Sequence, residues 1–104
     1  MKLKNRIAII TGGGKGIGAE LSLKLASEGA KIIIAEMDVP NGEITAKKIR
    51  ENNGEAIVIK TNVADEDSVN NMANEAINVF GKIDILINNA GTRHINNILD
   101  HTKQ

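Results

Sequence analysis

The amino-acid sequence predicts an α/β fold in which an open parallel sheet carries helices on both faces. Four short apolar runs recur along its 104 residues without alternation, and such runs suit strands buried on both sides, as in a parallel sheet. Segments with helical spacing separate the runs and supply the crossover connections that parallel strands need. The predicted order is therefore strand and helix in alternation, from a first strand to a fourth.

The predicted strands are the β-branched and aliphatic runs at residues 7–10, 32–35, 56–59 and 85–87. The first crossover helix is predicted over residues 16–28, where Ile17, Leu21 and Leu25 recur at helical spacing and should share the buried face. Gly29 follows in the position typical of a glycine that ends a helix.

The second and third crossover helices differ in the strength of their pattern. The second is predicted over residues 40–53, where Ile44 and Ile49 stand among charged residues. The third is predicted over residues 65–80, with Asp65 as its N-cap. Its apolar stripe is the most regular of the chain and consists of Val69, Met72, Ala73, Ala76 and Phe80.

Length and composition limit the possible functions. We expect one domain, residues 1–104. The 13 basic residues balance the 13 acidic ones, so neither a nucleic-acid nor a membrane partner is predicted. Cysteine is absent, which excludes disulfides and thiolate metal sites and favours a cytoplasmic location. No apolar run approaches the roughly 20 residues of a membrane span. His94 and His101 lack a third ligand at suitable spacing, so no metal site is predicted.

A glycine-rich loop, residues 11–18, lies directly between the first predicted strand and the first helix. Gly12, Gly16 and Gly18 have the spacing G-x-x-x-G-x-G. We interpret Gly12 as the residue that permits the tight turn after the strand and Gly16 as the one that lets the backbone approach a pyrophosphate. Gly18 lets the helix pack closely on the sheet. Phosphates would then meet free N–H groups at the positive end of the helix. The alternative is a flexible loop in a chain with ten glycines, but the flanking strand and helix favour nucleotide binding.

An acidic residue, Glu36, ends the second predicted strand. Dinucleotide-binding folds place an acid about 20 residues beyond the loop, where it accepts hydrogen bonds from the adenosine ribose hydroxyls. A carboxylate there repels a 2′-phosphate and so favours NAD over NADP, with Asp38 as the alternative acid. Lys15 in the loop favours the opposite choice, because a cation can pair with a 2′-phosphate. NAD is therefore the predicted cofactor and NADP the alternative.

The loop T-G-G-G-K-G-I-G and the run N-N-A-G at residues 88–91 together resemble the short-chain dehydrogenase/reductase family. Its patterns, T-G-x-x-x-G-x-G after the first strand and N-N-A-G after the fourth, both stand unbroken here, and the resemblance extends from Lys4 to about Leu99. It implies a Rossmann fold with NAD or NADP as cofactor. It also implies hydride transfer between a small-molecule alcohol and its carbonyl, in a homo-oligomeric parent enzyme.

The resemblance also assigns cofactor-binding positions. For the loop and the second strand they are Gly12, Gly16, Ile17, Gly18 and Glu36. Asn62 and Val63 stand where the family has Asp-Val beside the adenine edge. The Asn62 amide oxygen can still accept a hydrogen bond from the adenine amino group, but it lacks the charge of the aspartate. The run that braces the central sheet and passes close to the cofactor comprises Asn88, Asn89, Ala90 and Gly91.

The family's catalytic residues are a Tyr, a Lys four positions later, a Ser and a helix Asn, and this chain contains no Tyr. We therefore assign no catalytic residue and expect the N-terminal part of a longer oxidoreductase, inactive by itself. His94 is a candidate to approach the substrate in the intact enzyme. Two alternatives stay open: a non-catalytic nucleotide-binding module, and an inactive fragment whose fourth strand has an exposed edge. A Tyr-x-x-x-Lys pattern downstream of Gln104 would favour the enzyme.

Overall fold

The computed structural model describes residues 2–90. Strands and helices alternate in the predicted order: β1 (Ile7–Thr11), α1 (Gly16–Ser27), β2 (Lys31–Glu36), α2 (Val39–Glu51), β3 (Ala56–Lys60), α3 (Glu66–Phe80) and β4 (Ile85–Ile87). Each element begins and ends close to its predicted bounds. None of these three helices combines the length and apolar character that crossing a bilayer requires.

The four strands form one sheet in the order β3-β2-β1-β4, and every neighbouring pair is parallel. The chain builds outward from β1 to β2 and β3, and then returns to place β4 on the other side of β1. Ligands of open α/β sheets bind outside the carboxyl ends of the strands, at such a change of direction. The place to search for a site is therefore the carboxyl end of β1.

The sheet has a core on each face, because successive side chains of a strand point to opposite sides. One core packs against α3, whose buried residues are Val69, Met72, Ala73 and Ala76. The other core packs against α1 and α2 and includes Ala46 and Ile49. The predicted parallel sheet with helices on both faces is thus confirmed.

The buried face of α1 differs from the prediction. Ile17 is 69% exposed and Leu21 is only half-buried, whereas Gly18 and Ser22 are buried. The reason is space: a Cβ on Gly18 would collide with the carbonyl oxygen of Gly12. The start of α1 lies so close to the end of β1 that only small residues fit between them, and the apolar spacing was wrong for this helix turn.

Burial also falls toward the edges of the sheet. β1 is buried along its whole length and β2 at all but its two ends, as predicted, but β3 is buried only at Ala56 and Ile59 and β4 is half-buried throughout. They differ because each pairs with a single neighbour within the described residues. In α2, Ile49 is 1% exposed and Ile44 is 54% exposed, so only one of its two predicted apolar residues is buried.

Asp84 joins β4 to β1 at their amino ends. Its carboxylate accepts the Ile7 N–H at 2.9 Å and lies 3.1 Å from the Lys82 ammonium and 3.6 Å from the Arg6 guanidinium. Burial raises the pKa of this carboxyl, but the hydrogen bond from Ile7 and the two cations outweigh burial and hold the pKa below its ordinary value of 3.8. This turn residue therefore stabilises the pairing of the first strand with the last.

Candidate functional site

The glycine-rich loop connects β1 to α1 at the change of direction in the sheet. Gly12 and Gly16 have φ values of +67° and +61°, in the left-handed region that favours glycine. A Cβ on Gly18 would lie 2.9 Å from Asn89 Nδ2, in addition to its collision with Gly12. Around Gly16, in contrast, a Cβ would meet nothing within 4 Å. Gly18 thus allows α1 to pack closely against the end of β1, whereas Gly16 borders open space.

The first turn of α1 offers uncapped N–H groups. At α2 and α3 the N-caps Asp38 and Asp65 accept backbone N–H groups, but at α1 the N-cap is Lys15, whose side chain makes no capping hydrogen bond. Unsatisfied N–H groups and the helix dipole make such an end positive. Lys15 and Ile17 are both exposed beside it. This end of α1 is therefore suited to hold a phosphate group.

The segment after β4 packs against the glycine-rich loop. Ala90 donates its N–H to the Thr11 hydroxyl at 3.0 Å, and that hydroxyl lies 3.3 Å from Asn88 Oδ1. Asn89 Nδ2 donates to the Gly12 carbonyl at 3.4 Å. Two motifs that are 77 residues apart in the chain therefore meet at one place.

The sequence did not predict the role of Thr11 in that contact. Thr11 is fully buried at the carboxyl end of an otherwise apolar strand. A buried hydroxyl needs a hydrogen-bond partner, so a threonine that ends such a strand is the signal that could have pointed to this contact.

Glu36 lies at the carboxyl end of β2, beside the loop. Its Oε1 accepts the Gly14 N–H at 3.0 Å and its Oε2 accepts the Asp38 N–H at 3.1 Å. The sequence predicted where Glu36 lies but neither of these backbone contacts. Since a carboxylate has about four acceptor positions, it can still accept hydroxyl groups of a ligand.

A cavity of about 220 Å³ opens at the carboxyl ends of the strands. Its lining includes residues that the sequence predicted, namely Gly12, Glu36, Asn62, Val63 and Ala90. Ala35, Met37 and Thr61 also line it and were not predicted, although each lies at or beside the end of a strand. Three cavities are larger: those of about 320 and 260 Å³ adjoin Gly54 before the amino end of β3, and one of about 240 Å³ is lined by α3, all away from the loop. Position in the sheet, and not volume, therefore identifies the candidate site.

Asn62 holds the turn between β3 and α3. Its Oδ1 accepts the Ala64 N–H at 3.0 Å, and its own backbone N–H donates to Ser68 Oγ at 2.9 Å. These bonds keep the neighbouring Val63 at the cavity wall. An amide oxygen that would accept from a base is thus already engaged by one backbone donor.

Some predicted residues lie away from the cavity or outside the described part. Lys15, Gly16, Ile17 and Gly18 belong to the loop and the start of α1 and do not line the cavity. Gly91 and His94 fall outside the described residues, as does His101. Within residues 2–90 no three metal-binding side chains converge. The arrangement suits the binding of a ligand that carries phosphate and hydroxyl groups.

Comparison with known proteins gives consistent matches. The family model described as short chain dehydrogenase matches residues 6–104. An uncharacterized oxidoreductase of Thermotoga maritima is 38% identical over 98 residues, which cover 94% of this chain and 38% of that protein. The chain spans about a third of the length of the curated relatives that it matches.

Two solved structures share the fold. A metagenomic short-chain oxidoreductase in complex with NADP has a TM-score of 0.84 and 30% identity, over 88% of this chain and 42% of that one. A 7α-hydroxysteroid dehydrogenase complexed with NADH and 7-oxo glycochenodeoxycholic acid has a TM-score of 0.80 and 30% identity, over 82% of this chain and 33% of that one.

Proposed function

We propose, because this chain belongs to the short-chain dehydrogenase family, that it supplies the cofactor-binding part of an oxidoreductase. The proposed reaction interconverts a small-molecule alcohol and its carbonyl by hydride transfer with NAD or NADP. Residues 1–104 are then one NAD(P)-binding Rossmann domain that needs further chain to complete it. The observation that carries this proposal is the meeting of the glycine-rich loop with the segment after β4, beside an uncapped helix and a cavity.

The described residues fit a dinucleotide. The N–H groups of the first turn of α1 would hold its pyrophosphate, Glu36 would accept ribose hydroxyls, and Asn62 and Val63 would flank the base. When bound, the reduced cofactor would supply the hydride and the oxidised cofactor would accept it, and this chain would bind and orient the dinucleotide. The proposed binding residues are Gly12, Lys15, Gly16, Ile17, Gly18, Glu36, Asn62, Val63, Asn89, Ala90 and Gly91.

We propose NAD as the preferred dinucleotide. Glu36 lies beside the cavity with a carboxylate that would repel a 2′-phosphate at short range. Lys15 is exposed at the loop and is the cation that would support NADP instead. The two solved relatives carry NADP and NADH respectively, so they support the cofactor class and not the choice within it.

The proposal extends to the surroundings of the enzyme. We propose a cytoplasmic homo-oligomer that acts on a small molecule, without nucleic-acid or membrane partners. The balance of 13 basic and 13 acidic residues supports the absence of those partners, and the absence of cysteine supports the location. The homo-oligomer rests on the family alone.

A matched pair of glycine substitutions tests the dinucleotide site. Gly16 and Gly81 both have positive φ, and a Cβ on either meets nothing within 4 Å, but only Gly16 lies at the loop. Ala at either position should destabilise the fold similarly, by about 1–2 kcal/mol, because both require a left-handed backbone. In calorimetric titrations of the complete protein with NAD, Gly16→Ala should raise the Kd about tenfold or more, which corresponds to a loss of about 1.4 kcal/mol of binding free energy. Gly81→Ala should leave the Kd unchanged, and equal Kd values for both variants would contradict the site.

A further inference from the structure

The middle of the glycine-rich loop is held by side chains from two other elements. The Gly14 N–H donates to Glu36 Oε1 at 3.0 Å, and the Thr45 hydroxyl donates to the Gly14 carbonyl at 3.4 Å. Thr45 is 3% exposed in α2. Both polar backbone groups of one loop residue are therefore tied to the end of β2 and to α2 before any ligand binds.

The space around Gly14 shows how closely these elements meet. A Cβ on Gly14 would lie 2.7 Å from Glu36 Oε1 and 2.9 Å from the backbone nitrogen of Gly42. Both distances are shorter than ordinary Cβ contacts, so the contact requires glycine. The loop pattern leaves this position free, yet the approach of α2 restricts it.

Glu36 also holds the start of α2. Its Oε2 accepts the N–H of Asp38, and Asp38 in turn accepts the Asn41 N–H at 3.3 Å as the N-cap of α2. One carboxylate therefore connects the loop to the helix that contributes Thr45. Hydrogen bonds to a charged acceptor are stronger than those between neutral groups, so Glu36 is the main tie.

We propose that Glu36 is a positioning residue that keeps the glycine-rich loop in its binding shape through the Gly14 N–H, in addition to accepting ribose hydroxyls. This inference rests on the proposed function for its ligand. It has a consequence for cofactor choice: replacing Glu36 removes the repulsion of a 2′-phosphate but also releases the loop. Replacement of this one residue should therefore weaken the binding of NAD, and the released loop should offset the gain that NADP would otherwise show.

Amide hydrogen exchange in the free protein tests the tie without any ligand. Glu36→Ala removes the acceptor, so the Gly14 amide should exchange about tenfold faster or more, measured relative to the amide of Ile33 in the sheet. Glu36→Gln keeps one acceptor oxygen and should restore much of the protection. Glu43→Ala removes a carboxylate of α2 that pairs with Arg50 and should change nothing at Gly14. An unchanged Gly14 rate in Glu36→Ala would overturn the proposal.

Binding of two probes separates the loop from the ribose. The probes are NAD and its analogue that lacks the 2′- and 3′-hydroxyls of the adenosine ribose. If Glu36 holds the loop and also the ribose, Glu36→Ala weakens the binding of the analogue about threefold to tenfold and the binding of NAD by a larger factor, and Glu36→Gln recovers the analogue. Loss of affinity for NAD alone would overturn the loop role and leave a ribose contact only. If the unaltered protein binds neither probe, the proposed function fails and this inference fails as a statement about binding, whereas the Gly14 exchange rates still decide whether the tie exists.

Discussion

At the scale of single residues, a few polar side chains fix segments that are distant in the chain. The Thr11 hydroxyl receives the Ala90 N–H, and the Asp84 carboxylate receives the Ile7 N–H. These contacts lie at opposite ends of β1, at its carboxyl and amino ends. The first and last strands of the described sheet are therefore joined at both ends by side chains as well as by the strand pairing between them.

The charge of Asp84 should make this junction sensitive to pH. Its pKa in the folded protein is lowered, so its stabilising effect is complete above its unfolded value of 3.8 and is lost as the pH falls through the folded value. Asp84→Asn keeps an acceptor for the Ile7 N–H but has no charge. The difference in free energy of unfolding between the parent and Asp84→Asn should therefore be largest near about pH 7 and shrink as the pH falls below 3.8. Urea denaturation across this range measures it.

An exposed carboxylate provides the control for that experiment. Glu75→Gln removes a charge from the outer face of α3 and should give a small difference that changes little over the same range. A constant difference for Asp84→Asn from neutral to acid pH would contradict the role of its charge.

What the sequence could predict about the site depends on the residue. Gly12, Gly16, Gly18 and Glu36 were identified by spacing along the chain, because a turn, a helix start and a strand end lie at regular separations in this architecture. The requirement for glycine at Gly14 was not predicted, since it arises from contacts with α2 that depend on how the elements pack. Periodicity describes one element at a time and carries no information on such contacts.

At the scale of elements, small residues decided where two helices pack. In α2 the buried residues are Gly42, Thr45, Ala46 and Ile49, and three of these carry almost no apolar signal. In α3 all four buried residues, Val69, Met72, Ala73 and Ala76, are apolar, and there the predicted stripe was confirmed except at Phe80, which is half-buried. The prediction was therefore reliable where the buried face of a helix is wholly apolar and weaker where it includes glycine and threonine.

Two isoleucines of α2 test this difference with one substitution. Ile49 is 1% exposed and Ile44 is 54% exposed, and they lie on the same helix. Ile49→Ala should lower the free energy of unfolding by about 2–5 kcal/mol, because it leaves a cavity in the core. Ile44→Ala should change it by less than about 0.5 kcal/mol. Chemical denaturation measures both, and similar losses would contradict the described packing of α2.

At the scale of the whole molecule, the residues that we propose to bind the cofactor include neither a Tyr nor a Cys that could donate a proton in catalysis. Hydride transfer to a carbonyl develops negative charge on oxygen, which must be met by a hydrogen bond or a proton. The chain has no Tyr and no Cys, and the cavity at its candidate site is lined by a carboxylate, an amide, the Thr61 hydroxyl and small or apolar residues. The chain belongs to the family but lacks the family's catalytic Tyr, and these two facts agree if the chain acts within a larger enzyme.

The 104-residue chain alone should therefore bind NAD weakly and show no turnover. A positioned acid contributes about 10²–10⁴ in rate, and the orientation of the substrate would also be missing. Absorbance of reduced nicotinamide, followed with small alcohols, sugars, hydroxysteroids and 3-oxoacyl thioesters, measures the outcome. An oxidoreductase activity that co-purifies with this chain and disappears in Gly16→Ala would contradict the prediction.

The central position of β1 has a consequence for how the protein is made. β1 leaves the ribosome before β2, β3 and β4, yet it needs β2 on one side and β4 on the other. The junction between Ile7 and Asp84 spans 77 residues, so at about 5–20 residues per second its partner arrives roughly 4–15 seconds later. During translation the most buried strand of the sheet is thus the one that waits longest for its second neighbour. A nascent chain that pauses before β4 would present this apolar strand to any chaperone near the ribosomal exit.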